Sequence, residues 1–110
     1  KSGLVTESIG QMPVDELRLR IAEGSDLQLI DVRRPGEYNN GHAPGAINLT
    51  LSHLDEKASQ LDANRPTAVI CQSGYRSSAA TGILARRGFK EVFNVVGGTS
   101  AWIAAGYETQ

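Results

Sequence analysis

The sequence predicts a single α/β domain with a mainly parallel central sheet of about five strands and helices on both faces. Short, β-branched apolar runs alternate with stretches of helical periodicity, as in strands joined by crossover helices. Thr67-Ala68-Val69-Ile70, set off by Arg65-Pro66, has the composition of an inner strand covered on both sides. With 110 residues and 40% hydrophobic content the chain suits one domain, able to bury roughly two-thirds of its unfolded surface. It carries no repeat and no low-complexity segment.

Taken in order, Glu7-Ser8-Ile9 is a weak first strand. Pro13 then opens a helix over 14–22, in which Val14, Leu17 and Ile21 share a face, and Gly24 stops it. Strands are expected at 27–32, 46–48 and 91–95, with helical stretches near 35–39, 52–60 and 99–105. After Ile70 comes a polar loop, then a helical pattern beginning at Ser77-Ser78, with Ala79, Ala80, Ile83 and Leu84 on one face. Arg86 and Arg87 suit its carboxyl end and Gly88 its termination. Right-handed crossovers are expected throughout. The chain starts at Lys1 rather than Met, so residues 1–7 are expected to be an extension or a tag remnant and 8–110 the domain.

The loop Cys71-Gln72-Ser73-Gly74-Tyr75-Arg76-Ser77 joins the carboxyl end of a strand to the amino end of a helix, where open parallel sheets place ligand crevices. Unpartnered amides of a helix's first turn favour an anion there. Gly74 can fold the amides inward into a nest. The thiolate of Cys71, the sole cysteine, is such an anion. A free thiol titrates near ~8.5, and helix amino ends or cations lower that; Arg76 is within reach by sequence. The alternative, an inert cysteine of the core, is disfavoured by the polar and glycine positions that follow.

These residues resemble the active-site loop of rhodanese-type sulfurtransferases. The likeness extends to Leu29-Ile30-Asp31-Val32-Arg33, Glu37-Tyr38 and Gly41-His42-Ala43-Pro44-Gly45-Ala46-Ile47-Asn48, and to Val95-Val96-Gly97-Gly98 with Ala101-Trp102 and Gly106-Tyr107. The resemblance implies a fold of the rhodanese type and a sulfurtransferase activity. In it Cys71 takes a sulfane sulfur from a donor such as thiosulfate or a small persulfide, becomes a persulfide, and passes the sulfur to a thiol or cyanide. Such double displacement gives ping-pong kinetics. Gln72, Ser73, Gly74, Tyr75 and Ser77 would line the substrate cradle, their amides stabilising negative charge, while Arg76 would orient the loop and add positive potential. Gln72, Ser73 and Tyr75 would rim the entrance, with Tyr75 offering an aromatic surface to a small thiol.

Related cysteine phosphatases and arsenate reductases space cysteine and arginine by one residue more. Four residues, Gln72 to Tyr75, separate Cys71 from Arg76 here, a ring better sized for sulfur than for phosphate. A sulfur carrier or persulfide sensor acting within a complex would use the same loop. The wording of the three motifs is also similar to rhodanese modules fused behind metallo-β-lactamase-fold persulfide dioxygenases, so a fused or partner protein domain is expected as an option.

Other candidates have two readings. Asp31 and Arg33 could position substrate; a structural role, capping loops or pairing with each other near the site, is preferred. His42 could act as a base near neutral pH; a turn histidine bonded to backbone is preferred, because a loop-stabilised thiolate needs no separate base. His53 reads as a surface residue and Trp102 as packing for the last helix. One cysteine and two histidines without a close ligand pair give no metal site. No phosphate-loop pattern is present and no cofactor is expected. Net charge −1 favours neither nucleic acid nor an anionic membrane, and no apolar stretch approaches the ~20 residues of a span. A lone cysteine suits a reducing, cytoplasmic setting.

Overall fold

The computed structural model describes residues 9–110. Strand β4 (Thr67–Ile70), buried at every position, lies at the centre of a five-stranded sheet. Around it stand β1 (Ile9–Met12), β5 (Val92–Val95), β2 (Gln28–Asp31) and β3 (Ile47–Asn48), in the order β1-β5-β4-β2-β3. Every pairing is parallel. The chain steps from β2 to one edge and, after β4, toward the other. The carboxyl end of β4 therefore faces the crevice where the connections diverge.

Side-chain alternation along the strands divides the core in two. On one side Ile30, Val32, Val69, Cys71 and Val92 pack with Leu54 and Ala58, and with Ala80 and Leu84 of α4 (Tyr75–Arg86). Leu54 belongs to α3 (Leu51–Lys57), which continues into a short 3-10 turn at Ala58–Gln60. On the other side Leu29, Ala68, Ile70, Met12 and Val95 pack with Leu17 of α1 (Val14–Glu23) and Trp102 of α5 (Gly98–Ala104). Trp102 is buried and donates its indole N–H to the Glu108 carbonyl at 2.8 Å. Helix α2 (Pro35–Asn39) bridges β2 and β3.

The expected elements are present, with shifted ends. The first strand runs over Ile9–Met12, so Glu7 and Ser8, like residues 1–7 as a whole, lie outside the described residues. The larger departure is α4, which begins at Tyr75 rather than at the serines. Gly74 takes φ +99°, a left-handed angle that turns the chain into the helix within three residues of Cys71. At its far end Gly88, at φ +89°, follows the last turn, where the Phe89 amide reaches Leu84 O at 3.1 Å and the Gly88 amide reaches Ala85 O at 3.1 Å. This is the paired closure that a C′ glycine permits.

Candidate active site

Cys71 stands one residue beyond β4, and its side chain is 1% exposed. The early start of α4 directs backbone donors onto its sulfur. The Gly74 amide lies 3.1 Å and the Ser77 amide 3.2 Å from Sγ, with Ser77 Oγ at 3.4 Å. Burial pushes the thiol up, but the Ser77 hydroxyl and the amides of Ser77, Gly74 and Ser73 outweigh it, so the thiol lies below its ordinary value. The cysteine is thus both part of the core and an anion site, two descriptions that the sequence posed as alternatives.

A second layer holds the loop. Gly97-Gly98 lies against it: a Cβ on Gly98 would come within 2.5 Å of the Cys71 carbonyl oxygen, and Gly98 has φ +58°. That close approach lets the Thr99 amide donate to Cys71 O at 2.8 Å and the Ser100 amide to Gln72 O at 2.9 Å. The loop carbonyls are thereby turned toward α5, leaving the amides to face the sulfur. The glycine pair, recognised in the sequence only as a motif, acts through this contact.

Arg76 lies in the first turn of α4 and does not hydrogen-bond to the sulfur. Its two terminal nitrogens bind the Glu37 carboxylate at 2.8 and 2.9 Å. Glu37 also accepts from the Arg34 amide at 3.1 Å, closing the start of α2. Chiefly through the Arg76 bond, and against some desolvation, its carboxyl is held at about 2. Glu37 is the chief group favouring the cationic form of Arg76, and a Cys71 thiolate adds to it in a smaller measure. Glu37 appeared in the sequence only within a family motif; a long-range partner 39 residues away leaves no local signal.

Asp31 and Arg33, both buried, pair at 2.8 Å. Arg33 goes on to Gly41 O at 2.9 Å and to Gln72 Oε1 at 3.2 Å. Gln72 in turn donates to Ser100 Oγ at 2.8 Å. Gln72 is therefore a half-buried brace with both ends of its amide occupied, rather than a free rim residue. Ser73 and Tyr75 are exposed, Tyr75 to 86%. Ser77, expected in the cradle, is fully buried under the sulfur, and its hydroxyl donates to Asn94 Oδ1 at 2.5 Å. His42 bonds through Nδ1 to Tyr38 O at 2.9 Å and stacks on the Tyr38 ring at 3.7 Å. Its ring contacts thus lie with Tyr38 of α2, and its backbone is tied to Gln110. His53 is exposed beside Thr50.

Two open clefts share Leu51 and Arg76 as a common wall. One, of about 380 Å³, adds Tyr75, Ser78 and Ala79; the other, of about 340 Å³, adds Val32, Arg34, Thr50 and Ser52. Cys71 lines neither cleft; Arg76 and Leu51 give both a wall that is cationic and partly apolar.

A family model for the rhodanese-like domain matches residues 13–105. The chain belongs to that family. Among rhodanese-like relatives, it is 36% identical to the thiosulfate sulfurtransferase GlpE of Shewanella oneidensis over 86% of this chain and 93% of that protein. It is 33% identical to YrkF of Bacillus subtilis, named a candidate sulfur carrier protein, over 86% of this chain. The chain spans about half of YrkF, 51% of its length. A solved rhodanese-related protein from Thermoplasma volcanium superposes with a TM-score of 0.83 at 34% identity, covering 92% of this chain and 97% of that one. Membership places the chain among sulfurtransferases and sulfur carriers. No helix among the described residues is long and apolar enough to cross a membrane.

Proposed function

We propose that this rhodanese-like domain is a sulfurtransferase working through a Cys71 persulfide. The observation that carries the reading is the set of amides from Gly74 and Ser77 aimed at Sγ, which favours a nucleophilic thiolate at neutral pH. With thiosulfate as donor, the thiolate attacks the outer sulfur. A Cys71 sulfur–sulfur bond forms, the donor's sulfur–sulfur bond breaks, and its electron pair leaves with sulfite. An acceptor thiolate then attacks the terminal sulfur, leaving as a new persulfide and returning Cys71 to thiolate; cyanide would leave as thiocyanate. The amides that hold the thiolate also suit the anionic persulfide. Arg76 is committed to Glu37 rather than turned into the loop as an anion clamp, which supports sulfur over phosphoryl chemistry.

The donor is a small sulfane-sulfur compound such as thiosulfate or a low-molecular-weight persulfide, the acceptor is a thiol, and the setting is a reducing cytoplasm. Mass spectrometry after thiosulfate treatment tests the covalent step. One added sulfur on Cys71, absent in Cys71→Ser and removed by thiols, is expected; an unmodified cysteine overturns the reading. The similarity to YrkF supports a second reading, a carrier loaded once and discharged only to a fused or partner protein domain. Multiple turnovers with thiosulfate and a small thiol would decide for the enzyme.

A further inference from the structure

Beneath the sulfur runs a chain of hydrogen bonds that the proposed mechanism leaves unused. Ser77 Oγ lies 3.4 Å from Cys71 Sγ and 2.5 Å from Asn94 Oδ1, and Asn94 Nδ2 donates to Gln11 Oε1 at 3.1 Å. Ser77 is fully buried and Asn94 is 8% exposed, whereas Gln11, on the edge strand β1, is open to solvent. A serine hydroxyl has one proton. In this arrangement it goes to Asn94, and the Cys71 thiol donates to Ser77 Oγ. That polarity belongs to a protonated cysteine.

A thiolate can only accept. For Ser77 to serve it, the hydroxyl proton must turn to the sulfur. Asn94 Oδ1 would then face Ser77 Oγ with no proton between two buried acceptors, a costly arrangement. A half-turn of the Asn94 amide removes the conflict: Nδ2 now donates to Ser77 Oγ and Oδ1 faces Gln11. The exposed Gln11 amide turns in the same sense and becomes the donor. No atom need move between residues, and the cysteine proton leaves to solvent.

We propose that Asn94, backed by Gln11, is a positioning residue whose reversible amide matches the polarity of the Ser77 hydrogen bonds to the charge on Cys71. The proposal rests on Cys71 being the working thiol, but its readout is ionisation rather than turnover. Because the chain has one cysteine, thiolate ultraviolet absorbance against pH reports this site alone.

Gln11→Glu replaces a two-way amide by an acceptor. Asn94 must then keep Nδ2 outward and Oδ1 toward Ser77, the polarity of the protonated thiol, so the thiol pKa is expected to rise by about half a unit to one unit, the scale of one hydrogen bond. Gln11→Leu leaves the Asn94 amide able to turn and should retain the wild-type pKa. The charged pairs around the sulfur, Arg76 with Glu37 and Arg33 with Asp31, are unchanged in both variants. In a Ser77→Ala background, where the relay is cut, Gln11→Glu should add no further shift. An equal shift in both backgrounds would reduce the effect to the added charge, and no shift in the wild-type background would equally overturn the proposal. If the relay shift is seen but thiosulfate leaves Cys71 unmodified, the sulfur-transfer reading fails and the relay stands.

Discussion

Arg76 and Glu37, on the first turns of α4 and α2, form a two-point ion pair with N···O distances of 2.8 and 2.9 Å. The pair ties the end of the cysteine loop to the connection after β2 while each side chain remains about one-third exposed. The Glu37 carboxyl is held at about 2, below an ordinary 4.5. A depressed carboxyl stabilises the fold above its unfolded value, and that contribution is lost as pH falls toward the folded one. Urea midpoints should therefore drop between about pH 4.5 and 2 more steeply in the wild type than in Glu37→Gln. At neutral pH the variant should lose only about 1 kcal/mol, because solvent screens a partly exposed pair. Parallel pH profiles would show that the pair contributes nothing.

The Ser77 hydroxyl is the largest of the influences that lower the Cys71 thiol. Ser77→Ala should consequently raise the thiol pKa and slow alkylation by iodoacetamide at neutral pH, while the Gly74 and Ser77 amides keep the value below that of a thiol with burial alone. The sign follows from the loss of a donor to the charged form. Stability should respond as well: a thiol lowered by folding stabilises the native state above its unfolded pKa, so the variant's deficit should shrink as pH falls toward the folded thiol pKa and be gone below it. A thiol titration unchanged by the substitution would remove the hydroxyl from the account.

Much of this site was legible before the structure because its parts are local. The apolar run at 67–70, the polar residues after it and the glycine at 74 together specify a strand, a tight turn and a helix start. What was not legible depends on partners far along the chain. The helix starts at Tyr75 because Gly74 adopts φ +99°, and this sets Ser77, expected as the first helical residue, inside the first turn and buried against Asn94 of β5. Gln72 looked like a free polar residue, yet Arg33 and Ser100 occupy its amide from two other connections. A structural role for Asp31 and Arg33, loop capping or mutual pairing, could be read from their place at the end of a strand; the Arg76–Glu37 pair could not, since its members lie 39 residues apart on α4 and α2.

Gly98 and Gly24 both have left-handed backbones, at φ +58° and +67°, but their surroundings differ. An added Cβ at Gly24 meets nothing within 4 Å, whereas at Gly98 it meets Cys71 O at 2.5 Å and the Gln72 backbone at 2.8 Å. Gly24→Ala should cost about 1–2 kcal/mol from conformation alone. Gly98→Ala should cost more, on the order of 3 kcal/mol or above, because backbone must shift as well. It should also raise the thiol pKa by disturbing the loop that aims the amides. Denaturant unfolding and thiol titration of the two variants would test the contrast, and equal costs would show that the close approach is easily relieved.

Tyr75 projects from the first turn of α4 with 86% of its surface exposed, on the wall of the cleft it shares with Leu51 and Arg76. Its ring contributes little to the core, so Tyr75→Ala should leave stability within about 0.5 kcal/mol of wild type. The loop amides aimed at Sγ come from Gly74 and Ser77 and do not depend on the phenol. Persulfide formation from thiosulfate, which needs only a small donor to reach the sulfur, should therefore keep its rate. Discharge to a larger thiol would use the aromatic wall, so its second-order rate should fall several-fold while discharge to cyanide is unaffected. Measuring the two half-reactions separately, by sulfite release and by persulfide decay, distinguishes these outcomes. Equal loss in both would place Tyr75 in the support of the loop rather than on the acceptor's path.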